Sequence, residues 1–380
     1  MSSTAASSPE PSAAGGKLRI LQALRAAAAL LVLWTHSIDA SLSRSRSIQG
    51  DIPHLAGFGA CGLDLFFVIS GFIVSLVASR AAVRRSESPL RFLSRRFTRI
   101  YPIYWILTGV VILLAETGRH PIEWASVAWL PTIFLLPSPH FPAPSPVLSL
   151  GWSLVFEMYF YVILTFWMWR TPRTLVRNTA LTLAAMVAIG TLTSFRRPLL
   201  IIWANPILIE FLLGCLIGQL YARRAAAGTE RRAVMLGRFT LAVGIAGLLT
   251  TLITGYGTIN YQGMVLNGSS SWLRVALWGV PSALIVLGSL LWQPGLRSSP
   301  AAVAVFLGDA SYSIYLCTDP ARSVAEHYWR YLDRWGGDLA ILLCLLLCTA
   351  AGVSFYLAVE RPLMRIFHNW YKSLDVRVRA

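Results

Sequence analysis

GLDLFFVISGFIVSLVAS (62–79), RAAVRRSESPLRFLSRRFTR (80–99) and IYPIYWILTGVVILLA (100–115) form one continuous stretch, in which two apolar runs flank a segment with seven arginines. A hydrocarbon core of ~30 Å takes roughly 20 mostly apolar residues per spanning helix, so each run is close to one span. Basic loops are retained in the cytoplasm. The stretch therefore reads as a helical hairpin whose connection is cytoplasmic, and its orientation sets that of every other span.

Working outward, further apolar windows place spans at about 18–37, 60–79, 100–116, 149–169, 178–195, 198–222, 239–257, 273–292, 301–317 and 338–359. The expected fold is all-α, a polytopic transmembrane bundle of about ten spanning helices. With both termini cytoplasmic, the cytoplasmic segments hold 23 Lys and Arg and the outer loops eight. One miscounted span would invert every later loop, so this asymmetry supports the count. The apolar segment 124–137 is too short to cross and contains Pro131. It is expected to be a re-entrant or interfacial element on the outer side.

Composition agrees. A chain that is 56% hydrophobic and 13% charged has too little charge to cover a soluble domain of 380 residues. The net charge of +16 sits in loops, which points to anionic lipid headgroups and cytoplasmic anions rather than nucleic acid. The five cysteines lie in or beside apolar runs without a CxxC pair, and no HExxH occurs, so neither a metal site nor a disulfide framework is expected. Residues 1–16, mostly Ser, Ala, Pro and Gly, read as a disordered cytoplasmic lead without signal-peptide features. Residues 17–362 form one integral-membrane domain and 363–380 a basic cytoplasmic tail.

Charges inside a bilayer are costly and mark function. Those within spans are Arg25, His36, Asp64, Glu157, Glu210 and Asp309, and Arg274 also falls in a helix. Arg25 and His36 are eleven residues apart on the first helix. That is almost three turns and ~16 Å, so both side chains face one way. By depth, His36, Asp64 and Glu157 could converge in the outer half of the membrane. Glu210 and Asp309 fit inter-helix hydrogen bonding equally well.

LQALRAAAALLVLWTHS (21–37), with Arg25 and His36, resembles the first helix of membrane acyltransferase family 3, which includes O-antigen, Nod-factor and macrolide O-acyltransferases. GLDLFFVISGFIVS (62–75), FLSRRFTRIYPIYW (92–105), SLGWSLVFEMYFY (149–161), DASYSIYL (309–316) and VERP (359–362) resemble its later motifs, in order and suitably spaced. One departure stands at Cys317-Thr318-Asp319-Pro320, where the family often has Trp-His-x-Pro. His36 is therefore the sole intramembrane histidine. No fused esterase-like domain follows, as in the shorter, stand-alone members.

The resemblance implies transfer of an acyl group, most commonly acetyl, from acyl-CoA to a hydroxyl of a carbohydrate, lipid-linked glycan or glycosylated small molecule, in the bacterial inner membrane and without a metal. It points to His36 as general base, with Asp64, Glu157 or Asp39 to orient it. Arg95, Arg96 and Arg99 would bind the donor's phosphates, and Arg25 would guide its arm inward. A transporter using the intramembrane carboxylates is the alternative, although the chain lacks two related halves with matching broken helices.

The topology predicts that, in a background without native cysteines, Cys at position 138 is labelled in intact cells by a membrane-impermeant thiol reagent, while Cys at 99 and 170 is protected. Labelling at 99 would reverse the orientation.

Overall fold

The structure is a computed structural model that describes residues 12–44, 53–137, 146–195, 198–225, 231–255, 268–292 and 298–379. Position 138 and residues 1–11 lie outside the described residues. The first helix already includes 12–16, which the composition assigned to an irregular lead. Regular structure among the described residues is helical throughout.

Nine of these helices are long and apolar enough to cross a membrane, and a pair bent by 66° brings the number to ten if it is taken as one span. In chain order they are α1 (Ser12–Arg44), α2 (Cys61–Arg84), α3 (Pro89–Glu116), α4 (Trp152–Arg170), α5 (Leu175–Leu192), α6 (Leu208–Ala225), α7 (Arg231–Ile253), α8 (Ser270–Trp292), the bent pair α9 (Ser299–Asp309) and α10 (Ser311–His327), and α11 (Gly337–Phe355). After a π turn at Tyr356–Glu360, the expected tail continues as α12 (Arg361–Arg379).

Helix α1 lies at the centre, packed along α2, α9, α10 and α11. Lipid tails are as apolar as leucine, so close van der Waals packing must hold such helices together. The α2–α6 crossing shows how: a Cβ on Gly71 would lie 2.2 Å from the Phe211 carbonyl oxygen, and one on Gly214 2.2 Å from that of Val68. Only glycine permits that approach. At the periphery, α7 turns Met235, Phe239, Val243 and Leu249 outward. In water such a face would be an aggregation site, and here it is the lipid-facing one.

The segment 124–137 does not cross. It comprises a short 3-10 turn and a six-residue helix, Trp129–Phe134, ended by the left-handed Leu135 (φ 50°). That ending leaves the carbonyls of the last turn without intrahelical donors. Side chains of α3 supply them: Tyr104 donates to Thr132 O (2.6 Å), Trp105 to Ile133 O (2.9 Å) and Tyr101 to Phe134 O (2.8 Å). Irregular backbone at membrane depth is tolerated where the protein satisfies it in this way.

The interior charge that the sequence left unpartnered, Arg274, is the partner of Asp64. Its Nε and Nη2 donate to the two carboxylate oxygens at 2.9 and 2.7 Å, and Nη2 also reaches Ala60 O at 3.0 Å. The guanidinium sits 4.9 Å from the Trp278 ring centroid. Both side chains are buried. The pair joins the first turn of α2 to α8 just before a π turn, Val275–Gly279. Glu210 of α6 lies beside it, against Gly279. Asp64 is thus committed to Arg274 rather than placed beside His36.

Removing one member of a buried pair strands the other charge and costs ~3–5 kcal/mol. Arg274→Leu is expected to lose about that much and most of the folded yield. Adding Asp64→Leu to it should restore part of the loss. Thermal unfolding in detergent checks both, and an unaltered single variant refutes the role.

Candidate active site

Five helices, α1, α2, α3, α4 and α10, enclose a cavity of about 140 Å³ that opens at one side. Its lining includes Arg25 from α1, Arg96 and Arg99 from α3, and Glu157 from α4. The two α3 residues follow from helix periodicity: positions 96, 99 and 100 are neighbours on one face, and all three line the cavity. Ser88 caps α3 by accepting from the Arg91 backbone N–H at 3.3 Å, with Pro89 in the first turn, so this basic stretch is helical from its start.

Glu157 is the cavity's acid. Its Oε1 accepts from Ser70 Oγ at 2.8 Å and from the Tyr161 hydroxyl, one helical turn away on α4. Arg25 and Arg99 lie within electrostatic reach of each other, and Glu157 and Glu360 are the acids acting on Arg25. Neither Arg25 nor Arg99 forms an ion pair among the described residues. Arg96 stacks 5.1 Å from the Phe92 ring. The cavity therefore offers three guanidinium groups with unused donors against one carboxylate, which suits a polyanionic ligand with an apolar extension.

Arg95 is elsewhere. Its Nε pairs with Glu87 at 2.8 Å and its guanidinium lies 5.2 Å from the Tyr371 ring of α12. It shares a sequence motif with Arg96 and Arg99, but one residue is 100° of helix rotation. The structure separates it from them.

Ser153 Oγ and the Tyr315 hydroxyl share a hydrogen bond of 2.7 Å, and each lies 3.0 Å from Leu150 O, so one of the two donates to the other and the second to that carbonyl. His36 does not line the cavity, whereas Ser153 and Tyr315 do. Gly62 of α2 packs on the Ala28 backbone. The depth of neighbouring Leu63, which lines the cavity, is therefore close to that of Ala28, eight residues or about 12 Å short of His36 along α1. The expected convergence of His36, Asp64 and Glu157 does not occur. The periodicity of each helix was legible, but their relative heights depend on where α1 and α2 cross.

The neighbours of His36 are Asp39, whose Oδ2 is 3.9 Å from its Nδ1, and Asp319 and Arg322 of α10. Asp319 accepts from the Ser149 backbone N–H at 2.9 Å and faces Arg322 at 3.7 Å. Arg322 in turn donates to Glu326 at 2.5 Å. Thr318, standing where the resemblance places histidine, only bonds back to Ile314 O at 2.9 Å. Its neighbour Asp319 carries the polar contacts. The sequence held a signal for this, since Asp319 interrupts an apolar run beside the one departure from the motif. Helix α10 is the wall that the two regions share: Tyr312 and Tyr315 face the cavity, and Asp319 and Arg322 stand near His36. Among the described residues, no His, Cys, Asp and Glu cluster could hold a metal ion.

Comparison with known proteins supplies the class of chemistry. The sequence model for an acyltransferase domain, membrane acyltransferase family 3, matches residues 18–359. The exopolysaccharide production protein ExoZ of Rhizobium meliloti is 32% identical over 324 residues, 82% of this chain and 92% of that protein. Acyltransferase MdmB of Streptomyces mycarofaciens is 24% identical over 389 aligned positions, covering 92% of each chain. The peptidoglycan O-acetyltransferase OatA of Listeria monocytogenes is 27% identical over 155 residues, 36% of this chain and 24% of that one. No solved structure matches. Transport is thereby set aside as the reading of the intramembrane charges, and the chain belongs to membrane acyltransferase family 3, as a multi-pass O-acyltransferase.

Proposed function

We propose that the enzyme moves an acyl group, acetyl in the simplest case, from acyl-CoA to a hydroxyl of a carbohydrate-bearing acceptor. The observation that carries this reading is the meeting of Arg25, Arg96 and Arg99 in one cavity with Glu157 as its acid. The donor, made in the cytoplasm, binds from the arginine-rich end with its phosphates on these guanidinium groups. Its pantetheine arm points along the apolar part of the cavity toward Tyr315 and Ser153. Glu157, held by Ser70 and Tyr161, offsets part of the positive charge of Arg25. The acceptor comes from the opposite face, as a polysaccharide, lipid-linked glycan or glycosylated small molecule. ExoZ and OatA, named for exopolysaccharide and peptidoglycan, support a glycan.

His36 takes the acceptor's hydroxyl proton, and Asp39, three residues on, steadies the ring. The hydroxyl oxygen then forms a C–O bond to the thioester carbonyl carbon. The C–S bond breaks, and the departing thiolate receives the proton from His36. Because Tyr315 lines the cavity and His36 does not, the arm reaches His36 only after Tyr315 swings aside. Orientation in the inner membrane, with both termini cytoplasmic, belongs to the same reading.

Purified protein in detergent, given acetyl-CoA and glycan acceptors, tests the proposal. His36→Ala is expected to lose several orders of magnitude of transfer while still inserting and accumulating; full activity would sink the base role. Arg99→Gln should raise the donor KM roughly ten- to hundredfold with little change in kcat, as for a lost charge-assisted bond of ~1.5–3 kcal/mol. Arg95→Gln, turned toward Glu87, should move KM far less. Equal effects at 95 and 99 would refute the assignment of the cavity to the donor.

A further inference from the structure

A second cavity, of about 540 Å³, adjoins the first and shares Arg25 and Arg99 with it. Its remaining basic wall comes from α12, whose Arg361, Arg365 and His368 recur at i, i+4 and i+7 and so share one helix face. Asp309 and Glu360 are the acids in the lining, and Glu360 is already engaged by the Ser313 hydroxyl. Four arginines against two acids leave the space net positive. Among the described residues, none of the four forms an ion pair. The volume is within the range of small-molecule sites, roughly 300–1,000 Å³.

The fold holds this face in place from two sides. The π turn Tyr356–Glu360 inserts one residue before α12, which rotates everything after it by about 100°. On the flank toward α3, Arg91 donates to the Tyr371 carbonyl at 2.8 Å, and the Tyr371 hydroxyl donates to Ser94 at 2.9 Å. Tyr371 is buried in this contact, whereas Ile366 and Trp370 remain exposed on the other side of α12. The turns of α3 that anchor α12 lead directly into those that carry Arg96 and Arg99. A continuous helix from Gly337 to Leu374 spans 38 residues, or about 57 Å, well beyond a ~30 Å hydrocarbon core. Most of α12 therefore stands in the aqueous layer, where a hydrated nucleotide can reach it.

We infer that this vestibule holds the nucleotide end of the donor, with Arg361 and Arg365 binding the 3′-phosphate of its ribose while Arg25 and Arg99 hold the pyrophosphate from which the pantetheine arm enters the inner cavity. The inference rests on the acyl-CoA reading above and adds the C-terminal helix to the binding site. The shared chemistry is a phosphate-bearing anion, which a lipid headgroup could also provide, so the test must separate the two.

Protein in nanodiscs of phosphatidylcholine, with or without phosphatidylglycerol, would be assayed with acetyl-CoA, 3′-dephospho-acetyl-CoA and S-acetylpantetheine. Arg361→Gln and Arg365→Gln should each raise the acetyl-CoA KM about tenfold, as for the loss of one charge-assisted contact, with kcat retained. The KM for S-acetylpantetheine should not move, and the dephosphorylated donor should show a smaller effect. Ile366→Ser, on the exposed side of the same helix, should match wild type, and melting temperatures would confirm that each variant is folded. Equal increases for acetyl-CoA and S-acetylpantetheine, or unchanged KM for both, would overturn the inference. So would variants that alter only the dependence on phosphatidylglycerol, since the vestibule would then be a headgroup site. If wild type itself used acetyl-CoA and S-acetylpantetheine equally, the donor reading would fall and the vestibule with it. Discrimination in wild type that persists in the variants would remove the vestibule alone.

Discussion

An ionised side chain in hydrocarbon must be paired within the protein, hydrated in a cavity or extended to an interface. The charges that shape this bundle take these routes, and the choice organises it. Arg274 and Asp64 take the first, closing a bidentate contact between α2 and α8 with neither group left to solvent. Arg25, Arg96, Arg99 and Glu157 take the second and line a cavity. The arginines of α12 take the third, beyond the hydrophobic length of the last span.

The distinction separates structural from chemical charges more reliably than burial does. A carboxylate already bound by two guanidinium nitrogens has no free lone pairs in the right place to steady an imidazole ring. Asp64 therefore belongs to the architecture. Glu157, held by a serine and a tyrosine, faces open space as well and remains available to a ligand or to Arg25. His36 lies apart from both, with Asp39 on its own helix and Asp319 and Arg322 on the next. The cavity and the surroundings of His36 thus share α10, which carries Tyr312 and Tyr315 toward the one and Asp319 and Arg322 toward the other. Such a division suits a reaction whose two substrates come from opposite faces of a membrane.

Helix packing makes the cavity possible. Glycines at the α2–α6 crossing draw those helices close, and α9 and α10, bent by 66° at their junction, both pack along α1. The short element 129–134 is fastened by three donors from α3, so that helix is braced there while Arg96 and Arg99, nearer its start, line the cavity.

A bundle of about ten spans, their order and the non-crossing segment at 124–137 were legible in the sequence. Each depends on local quantities: apolar run length and the placement of basic residues. The family was legible as well, because its motifs lie within single helices. What the sequence could not determine was the height of one helix against another. Periodicity gives a direction around an axis but no register between axes, so it placed His36, Asp64 and Glu157 at one depth. The tertiary structure separated them, because the crossing of α1 and α2 sets Gly62 beside Ala28. Partners distant in the chain were invisible for the same reason: Arg274 for Asp64, 210 residues away, and Tyr371 for Arg91, 280 residues away. Residue type decided which groups required a partner, and only the packing of the helices decided which partner each one found.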